Sequence, residues 1–189
     1  MVTLILGGAR SGKSAFAEQQ ASRGRLEVVY IATAELKDAE MQERVRHHRE
    51  RRPASWRTTE EPLHLARTLA AEAGEKRCLI VDCLTLWLTN VILADRPEGG
   101  EGAVIRPGAT LEVERARLLE MLPSLPGAAL LVSNEVGQGL VPANALGRFF
   151  VDESGRLNQA VARVSDRVYW MAAGCPMLAK GSGGKPSDD

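Results

Sequence analysis

The chain has 189 residues, with 24 lysines and arginines against 24 aspartates and glutamates. This length suits a single domain with a sizeable core, which we place at residues 1–180. Because the formal net charge is zero, no overall field draws the protein to nucleic acid, and any phosphate-binding charge has to be local. These figures exclude a generally basic nucleic-acid-binding protein, so we expect no nucleic-acid partner.

Cysteine usage and the start of the chain indicate a cytoplasmic protein. Cys78, Cys83 and Cys175 are odd in number and lack metal-ligand spacing, so they are predicted to be reduced thiols in the core. The first residues form a short apolar run that ends at Gly7, without a basic leader or a cleavage site. No apolar stretch approaches the roughly 20 residues that a membrane span needs, and we expect none.

Five short apolar runs predict the strands of a β-sheet. Their near-continuous hydrophobicity is typical of strands that are covered on both faces. Longer amphipathic or polar segments separate them, which predicts a mostly parallel sheet flanked by helices and therefore an α/β fold. The predicted strands are 2–6, 28–32, 78–81, 128–133 and 167–171.

The segments between these strands predict six helices. In the last of them, Gly155 is expected to break the helical pattern in two. Residues 95–108 are too rich in glycine and proline for regular structure and are predicted to form a mobile surface loop. The tail 181–189 has nothing apolar to bury and is expected to be disordered. The predicted helices are 12–23, 38–52, 62–74, 84–94, 111–122 and 143–164.

The segment after the first strand matches a phosphate-binding loop, G-x-x-x-x-G-K-[ST], at the start of a helix. Glycines let backbone N–H groups point at phosphate oxygens, and the helix N-terminus adds positive charge. Lys13 is the predicted catalytic cation that bridges the outer phosphates, and the Ser14 hydroxyl is a predicted Mg²⁺ ligand. The predicted nucleotide contacts here are Gly7, Gly8, Ala9, Arg10, Ser11, Gly12, Lys13 and Ser14.

Asp82 is the leading candidate for the acid that completes the magnesium site. It follows the apolar run 78–81, and in such folds an acid at the tip of a strand beside the phosphate loop holds Mg²⁺ or its waters. Alternatively, Asp82 caps the N-terminus of the helix predicted from residue 84. The residues alone leave both interpretations open.

Residues 41–53 carry two adjacent histidines, His47 and His48, in a strongly basic run. A helix over this run has almost no apolar stripe, so core burial cannot be its main support. At helical spacing the histidines share a face with Arg44 and Arg51 that could grip a triphosphate. A neutral imidazole is a nucleophile near pH 7, and its attack on a nucleotide phosphorus would give a phosphoramidate. The alternative is a solvated, charged helix with incidental histidines.

Several motifs occur together in this chain: GGARSGKS at 7–14, YIATA at 30–34, RHHR at 46–49, RP at 52–53 with WRT at 56–58, DCLT at 82–85 and SNEVGQGLVP at 133–142. Over residues 2–168 this combination resembles the bifunctional adenosylcobinamide kinase / adenosylcobinamide-phosphate guanylyltransferase family. The stretch 134–137 and a double histidine after a phosphate loop are highly specific in combination, whereas a phosphate loop alone is not.

The resemblance implies an enzyme with a P-loop NTPase-type fold that phosphorylates adenosylcobinamide with ATP or GTP in the presence of Mg²⁺. It then transfers GMP from GTP to adenosylcobinamide phosphate and releases pyrophosphate. By position, His47 would be the histidine that carries GMP between the two substrates. A homotrimer is implied as well. Further nucleotide contacts are implied for Ala32, Thr33, Ala34, His48, Arg49, Glu50, Arg51, Glu60 and Asp82.

Glu135 is a candidate acid near the bound corrinoid or the metal. The strand 128–133 delivers it to a strand end, and Gly137 and Gly139 make the following loop adaptable. Alternatively, Glu135 makes a polar contact that only fixes the turn. Neither interpretation is favoured by the residues themselves.

Overall fold

The computed structural model describes residues 1–35, 53–95 and 104–181. Its strands are β1 (Val2–Gly7), β2 (Glu27–Ala32), β3 (Arg57–Glu60), β4 (Arg77–Asp82), β5 (Ala128–Asn134), β6 (Arg167–Ala172) and β7 (Cys175–Lys180). They form one sheet in the order β3-β2-β4-β5-β1-β6-β7. All neighbours pair in parallel except β6 and β7. The predicted mostly parallel sheet is therefore confirmed.

Helices connect the strands of this sheet. They are α1 (Lys13–Arg23), α2 (Leu65–Glu72), α3 (Leu84–Ala94), α4 (Ala109–Met121) and α5 (Ala145–Val164), and a 3-10 turn (Leu122–Ser124) follows α4. The predicted helices 12–23, 62–74, 84–94 and 111–122 are confirmed with small shifts at their ends. The predicted helix 38–52 lies outside the described residues, as does the tail beyond residue 181. Among the described helices, none is long and apolar enough to cross a bilayer.

The central strands are buried on both faces because successive side chains of a strand point in opposite directions. In β4, Leu79 and Val81 belong to the larger core cluster, which α2 to α5 cover. Cys78 and Ile80 face the other way, into a smaller cluster that includes Phe16 of α1. This two-sided burial explains why the apolar runs of the sequence are nearly continuous.

The prediction that Gly155 divides the last helix is wrong, because α5 continues through it without a break. A Cβ at Gly155 would have no atom within 4 Å, so the glycine lies on an open side of the helix. Its cost of about 1 kcal/mol relative to alanine is small beside the burial of Leu157 and Val161 on the other side, at about 1.5–3 kcal/mol each.

The two edge strands, β3 and β7, are not predicted by the sequence. The residues of β3 are polar and at most half-buried, so no apolar run marks them. The strand β7 is exposed along its whole length and contains Pro176, which is tolerated at a sheet edge. Strands at the edge of the sheet are exposed and therefore lack the apolar runs by which the buried central strands are recognised in the sequence.

The three cysteines are free thiols, as expected, but only two lie in the core. Burial raises the pKa of the Cys78 thiol and that of the Cys83 thiol to about 11. Cys175 is exposed, so its predicted core position is wrong. The reason is again the edge strand, since Cys175 is the first residue of β7.

Asp95 joins the two ends of the connection between α3 and α4. Its carboxylate accepts hydrogen bonds from the Thr110 hydroxyl at 2.6 Å, the Thr110 N–H at 3.1 Å and the Leu111 N–H at 3.3 Å. These hydrogen bonds, that of the Thr110 hydroxyl above all, lower the pKa of Asp95. In the predicted loop 95–108, the described residues form neither helix nor strand, and 96–103 lie outside the described residues.

Lys180 caps the C-terminus of α5 from the end of β7. Its Nζ donates to the carbonyl oxygens of Ala162 at 2.8 Å, Arg163 at 2.9 Å and Ser165 at 2.7 Å. We expect Lys180→Met to lower the free energy of unfolding by about 1 kcal/mol, because these carbonyls lose their cation. Urea unfolding measures the change. The same substitution at exposed Lys76 is the control, and an equal loss in both variants would contradict the capping role.

Candidate active site

The predicted strand–loop–helix arrangement of the phosphate loop is confirmed, since the loop joins β1 directly to α1. Gly12 has a left-handed backbone with φ +95°, which favours glycine. A Cβ at this position would lie 3.2 Å from the Cα of Gly174. The Gly12 carbonyl accepts the first helical hydrogen bond, from the Phe16 N–H at 2.9 Å. Conformation and packing therefore both call for glycine where α1 begins.

Lys13 lies inside the loop to which it belongs, with 6% of its surface exposed. Its Nζ donates to the Gly8 carbonyl at 2.6 Å and lies 3.5 Å from the Ser11 Oγ. Burial lowers the pKa of Lys13, and the nearby Cys83 and Asp82 act in the opposite direction. The ammonium is thus held where phosphate oxygens of a nucleotide would replace the Gly8 carbonyl as its partners.

Asp82 is the last residue of β4, and its Oδ2 accepts a hydrogen bond from the Tyr30 hydroxyl at 2.6 Å. Asp82 lines the same cavity as Lys13, and its charge raises the pKa of that lysine. The helix α3 has Cys83, and not Asp82, as its N-cap residue. The alternative in which Asp82 caps this helix is therefore wrong.

Thr33 ties the end of β2 to the end of β4. It is fully buried; its Oγ1 donates to the Cys83 carbonyl at 2.7 Å and accepts from the Cys83 N–H at 2.8 Å. The Thr33 carbonyl accepts from the Asn90 side chain at 2.8 Å. The predicted nucleotide contacts of Ala32, Thr33 and Ala34 stay predictions. For Thr33, an effect on the nucleotide would act through the position of Cys83.

A cavity of about 390 Å³ lies between the phosphate loop and the ends of β4 and β5. Both predicted metal ligands, Ser14 and Asp82, line it. Their oxygens suit Mg²⁺, which keeps several waters and needs few protein ligands. In the described ranges, no group of three or more His, Cys, Asp or Glu residues forms a dedicated metal cage. The lining residues are Arg10, Ser11, Gly12, Lys13, Ser14, Ala15, Asp82, Cys83, Val132 and Asn134.

Sequence reasoning missed two parts of this site. Cys83 and Asn134 line the cavity beside the predicted residues. The turn between β6 and β7 packs against the phosphate loop, and the Gly174 N–H donates to the Ser11 carbonyl at 3.0 Å. The sequence does carry a signal for Asn134, because this residue directly follows an apolar run. It carries no signal for the turn, because β7 is not recognisable in the sequence.

Glu135 fixes the turn in which it lies, since its Oε1 accepts a hydrogen bond from the Gly137 N–H at 2.7 Å. Its own N–H donates to the Gly7 carbonyl at 3.0 Å. The turn-fixing interpretation therefore matches the structure, and a role near corrinoid or metal stays a prediction.

Glu60 is the last residue of β3 and pairs in register with Ala32 of β2. It is exposed at the C-terminal end of the parallel strands, the end that also carries the phosphate loop.

The predicted histidine nucleophile lies outside the described residues. His47, His48, Arg49, Glu50 and Arg51 all fall in the segment 36–52, between β2 and β3. Because β1 and β2 run in the same direction within the sheet, β2 ends at the edge that carries the phosphate loop. The chain therefore leaves β2 for this segment on the side of the sheet where the cavity lies.

Sequence comparison shows which family of enzymes the chain resembles over nearly its whole length. Residues 3–178 match the family described as cobinamide kinase / cobinamide phosphate guanyltransferase. The chain is 54% identical over 181 residues to the bifunctional adenosylcobalamin biosynthesis protein CobP of Pseudomonas aeruginosa, which covers 96% of this chain and 98% of that protein. It is 37% identical over 184 residues to the bifunctional adenosylcobalamin biosynthesis protein CobU of Salmonella typhimurium, covering 95% and 100%.

Solved structures with similar folds have much lower identity. A Pyrococcus horikoshii protein has a TM-score of 0.52 and 9% identity, over 96% of this chain and 87% of that chain. A prototypical ATPase from the type III secretion system of pathogenic bacteria has a TM-score of 0.53 and 14% identity, over 89% and 50%. These likenesses concern the fold alone and agree with a P-loop nucleotide-binding architecture. The family match, by contrast, spans nearly the whole sequence, and the chain therefore belongs to the cobinamide kinase / cobinamide phosphate guanyltransferase family.

Proposed function

We propose that this chain carries out both reactions of its family in the single cavity beside the phosphate loop. In the first, the aminopropanol hydroxyl of adenosylcobinamide takes the γ-phosphate of ATP or GTP. In the second, GMP passes from GTP to adenosylcobinamide phosphate through a guanylylated His47, giving adenosyl-GDP-cobinamide and pyrophosphate. The observation that supports this most directly is the convergence of Lys13, Ser14 and Asp82 on one cavity.

The kinase step needs little covalent chemistry from the protein, because phosphoryl transfer is catalysed mainly by positioning and charge neutralisation. The loop amides and Lys13 would hold the outer phosphates. Ser14 and Asp82 would hold Mg²⁺, which supplies further neutralising charge to the phosphate oxygens when bound. The substrate oxygen bonds to the γ-phosphorus as the bond from that phosphorus to the β–γ bridging oxygen breaks; the hydroxyl proton passes to solvent, and ADP or GDP stays in the loop.

The guanylyl-transfer step requires an imidazole nitrogen at the innermost phosphorus. The nitrogen bonds to the α-phosphorus as the bond to the β-phosphate bridging oxygen breaks, and pyrophosphate departs. A phosphate oxygen of adenosylcobinamide phosphate then attacks the same phosphorus and releases neutral His47. His47 lies twelve positions after Glu35, an extended reach of roughly 40 Å, so the length of the connection from β2 does not limit this approach.

Contacts to the nucleoside are proposed for residues at the C-terminal ends of β2 and β3, farther from the phosphate loop. Four strand spacings separate β3 from β1, about 19 Å in all, so one phosphate cannot touch both Glu60 and the phosphate loop. We therefore assign Glu60, with Ala32 and Ala34, to the nucleoside end. His48, Arg49, Glu50 and Arg51 complete the set with His47. The homotrimer implied by the resemblance and the cytoplasmic location indicated by the cysteine usage belong to the same proposal.

Two labelled nucleotides test the proposal. With γ-labelled ATP or GTP, label should move to adenosylcobinamide. With α-labelled GTP, label should stay on the protein, with one pyrophosphate released per site, and continued release should require adenosylcobinamide phosphate. Transfer of γ-phosphate without any pyrophosphate would indicate a simple small-molecule kinase. Binding of GTP without either reaction would indicate a regulator, and both results would refute the two-step scheme.

A further inference from the structure

We propose that Asn134 is a nucleotide-contacting residue whose carboxamide donates a hydrogen bond to an outer phosphate oxygen during γ-phosphate transfer. We propose in addition that Thr85, Ser133 and Asn158 are positioning residues that fix its main chain. The inference rests on the proposed use of this cavity for a nucleoside triphosphate. It adds a neutral donor to a set that so far consists of the loop amides and the charged Lys13.

The register of the sheet places Asn134 beside the phosphate loop. It ends β5, the strand between β4 and β1, and pairs with Gly7, where the loop begins. Asp82 pairs with Val132, so Asn134 extends two residues farther toward the loop edge than Asp82 does. Asn134 lines the same cavity as Lys13 and Asp82. Its side chain is therefore positioned between the predicted metal-binding acid and the start of the phosphate loop.

A buried polar network holds the main chain of Asn134. Its N–H donates to the Thr85 Oγ1 at 2.7 Å, and its carbonyl accepts from the Asn158 Nδ2 at 3.3 Å. The Ser133 Oγ donates to the Asn158 Oδ1 at 2.7 Å and lies 3.4 Å from the Thr85 Oγ1. Thr85, Ser133 and Asn158 are at most 8% exposed. Side chains from α3 and α5 thus converge on the main chain of one residue at a strand end.

Such a network is costly to build inside an apolar core unless every member is satisfied. Here the members satisfy one another, and the main-chain N–H and carbonyl of Asn134 are both held by side chains. Its carboxamide, in contrast, makes only a 4.0 Å contact, from Nδ2 to the Cys83 Sγ, among the described residues. A carboxamide has two N–H donors and an acceptor oxygen, so this one retains hydrogen-bonding capacity toward the cavity.

A donor fixed in advance acts most strongly on the charge that shifts during the reaction. In the kinase step that charge lies on the γ-phosphate and the leaving β-phosphate oxygens, which the phosphate loop holds beside Asn134. Removing the carboxamide should therefore lower kcat more than it raises the KM for nucleotide. Removing the Thr85 hydroxyl should shift the main chain of Asn134 and with it the carboxamide. We therefore expect the same result, a lower kcat with a smaller change in the KM for nucleotide.

The test compares γ-phosphate transfer from GTP to adenosylcobinamide by the full chain and its variants. Asn134→Ala should lower kcat by about 10- to 100-fold, with a smaller change in KM. Without Mg²⁺, Asn134→Asp should bind GTP more weakly than Asn134→Ala does, because a carboxylate repels phosphate. A kcat within about threefold of wild type for Asn134→Ala, or equal GTP affinities of the two variants, would overturn the proposal.

The network is tested by Thr85→Val, which should lower kcat as Asn134→Ala does, and by Thr85→Ser, which should restore it. Thr89→Val is the matched control, since the Thr89 hydroxyl donates to the Thr85 carbonyl within the same helix and does not touch Asn134. Melting temperatures show which variants fold. If Thr85→Val does not fold, Asn134→Ala still tests the proposal, because Asn134 lies at the surface of the cavity. Inactivity of the wild type itself would refute the two-step scheme, whereas wild-type activity with unchanged Asn134→Ala refutes only this inference.

Discussion

Replacing His47 with alanine is expected to abolish the covalent GMP–protein adduct and to lower GMP transfer by at least about a thousandfold. The reason is that a covalent nucleophile has no substitute once removed, whereas phosphate contacts contribute smaller factors. Transfer of the γ-phosphate should continue, because Lys13, Ser14 and Asp82 are unchanged. Mass spectrometry of the intact protein after incubation with GTP and Mg²⁺ measures the adduct, and fragmentation gives its position.

The neighbouring histidine supplies the matched control. His48→Ala should weaken GTP binding but retain the adduct at saturating GTP, because His48 is assigned a binding contact only. The bond in the adduct should be labile in acid and stable in base, as a phosphoramidate is. Full labelling of His47→Ala would contradict the assignment and would move the nucleophile to another residue.

Replacing Lys13 with alanine is expected to lower both γ-phosphate transfer and GMP transfer by about 100- to 1000-fold. The buried ammonium is the cation at the centre of the phosphate loop, and both reactions develop charge on phosphates held there. The rise in melting temperature on adding GTP should shrink as well, since a ligand that binds more weakly stabilises the folded state less. Coupled assays for each reaction and thermal unfolding with and without GTP measure these effects.

Stability and function should separate in this variant. Without nucleotide, Lys13→Ala should unfold at no lower temperature than wild type, because burial of the charged ammonium is unfavourable and alanine removes it. Lys76→Ala, at an exposed lysine, should leave activity and the GTP-dependent shift unchanged. A Lys13→Ala protein that still transferred γ-phosphate at the wild-type rate would place the nucleotide outside this loop.

The parts of the fold that follow from burial could be predicted from the sequence. The runs that became β1, β2, β4, β5 and β6 are apolar because both faces of those strands are covered. The edge strand β3 was missed because its residues contact solvent and are polar. The break at Gly155 was predicted from local propensity, and long-range packing of Leu157 and Val161 overrode it.

The candidate site divides in a similar way. The phosphate loop could be predicted because each of its residue types has a local mechanical reason, and Asp82 because it follows an apolar run. The hydrogen bonds between the Thr33 side chain and Cys83 could not be predicted, since the two residues are 50 positions apart in the chain. The surroundings of Asn134 were hidden for the same reason, because they involve two helices that only the folded chain brings together.

The turn between β6 and β7 contacts the phosphate loop, so residues near position 174 are linked to residues near the start of the chain. Its Gly174 N–H holds the Ser11 carbonyl, and its Cα lies against Gly12. By thermodynamic reciprocity, a nucleotide that rigidified the loop would also protect the β6–β7 hairpin from opening, and fraying of the hairpin would weaken nucleotide affinity. Fusions or truncations near residue 180 are therefore expected to change the affinity for nucleotide through β7.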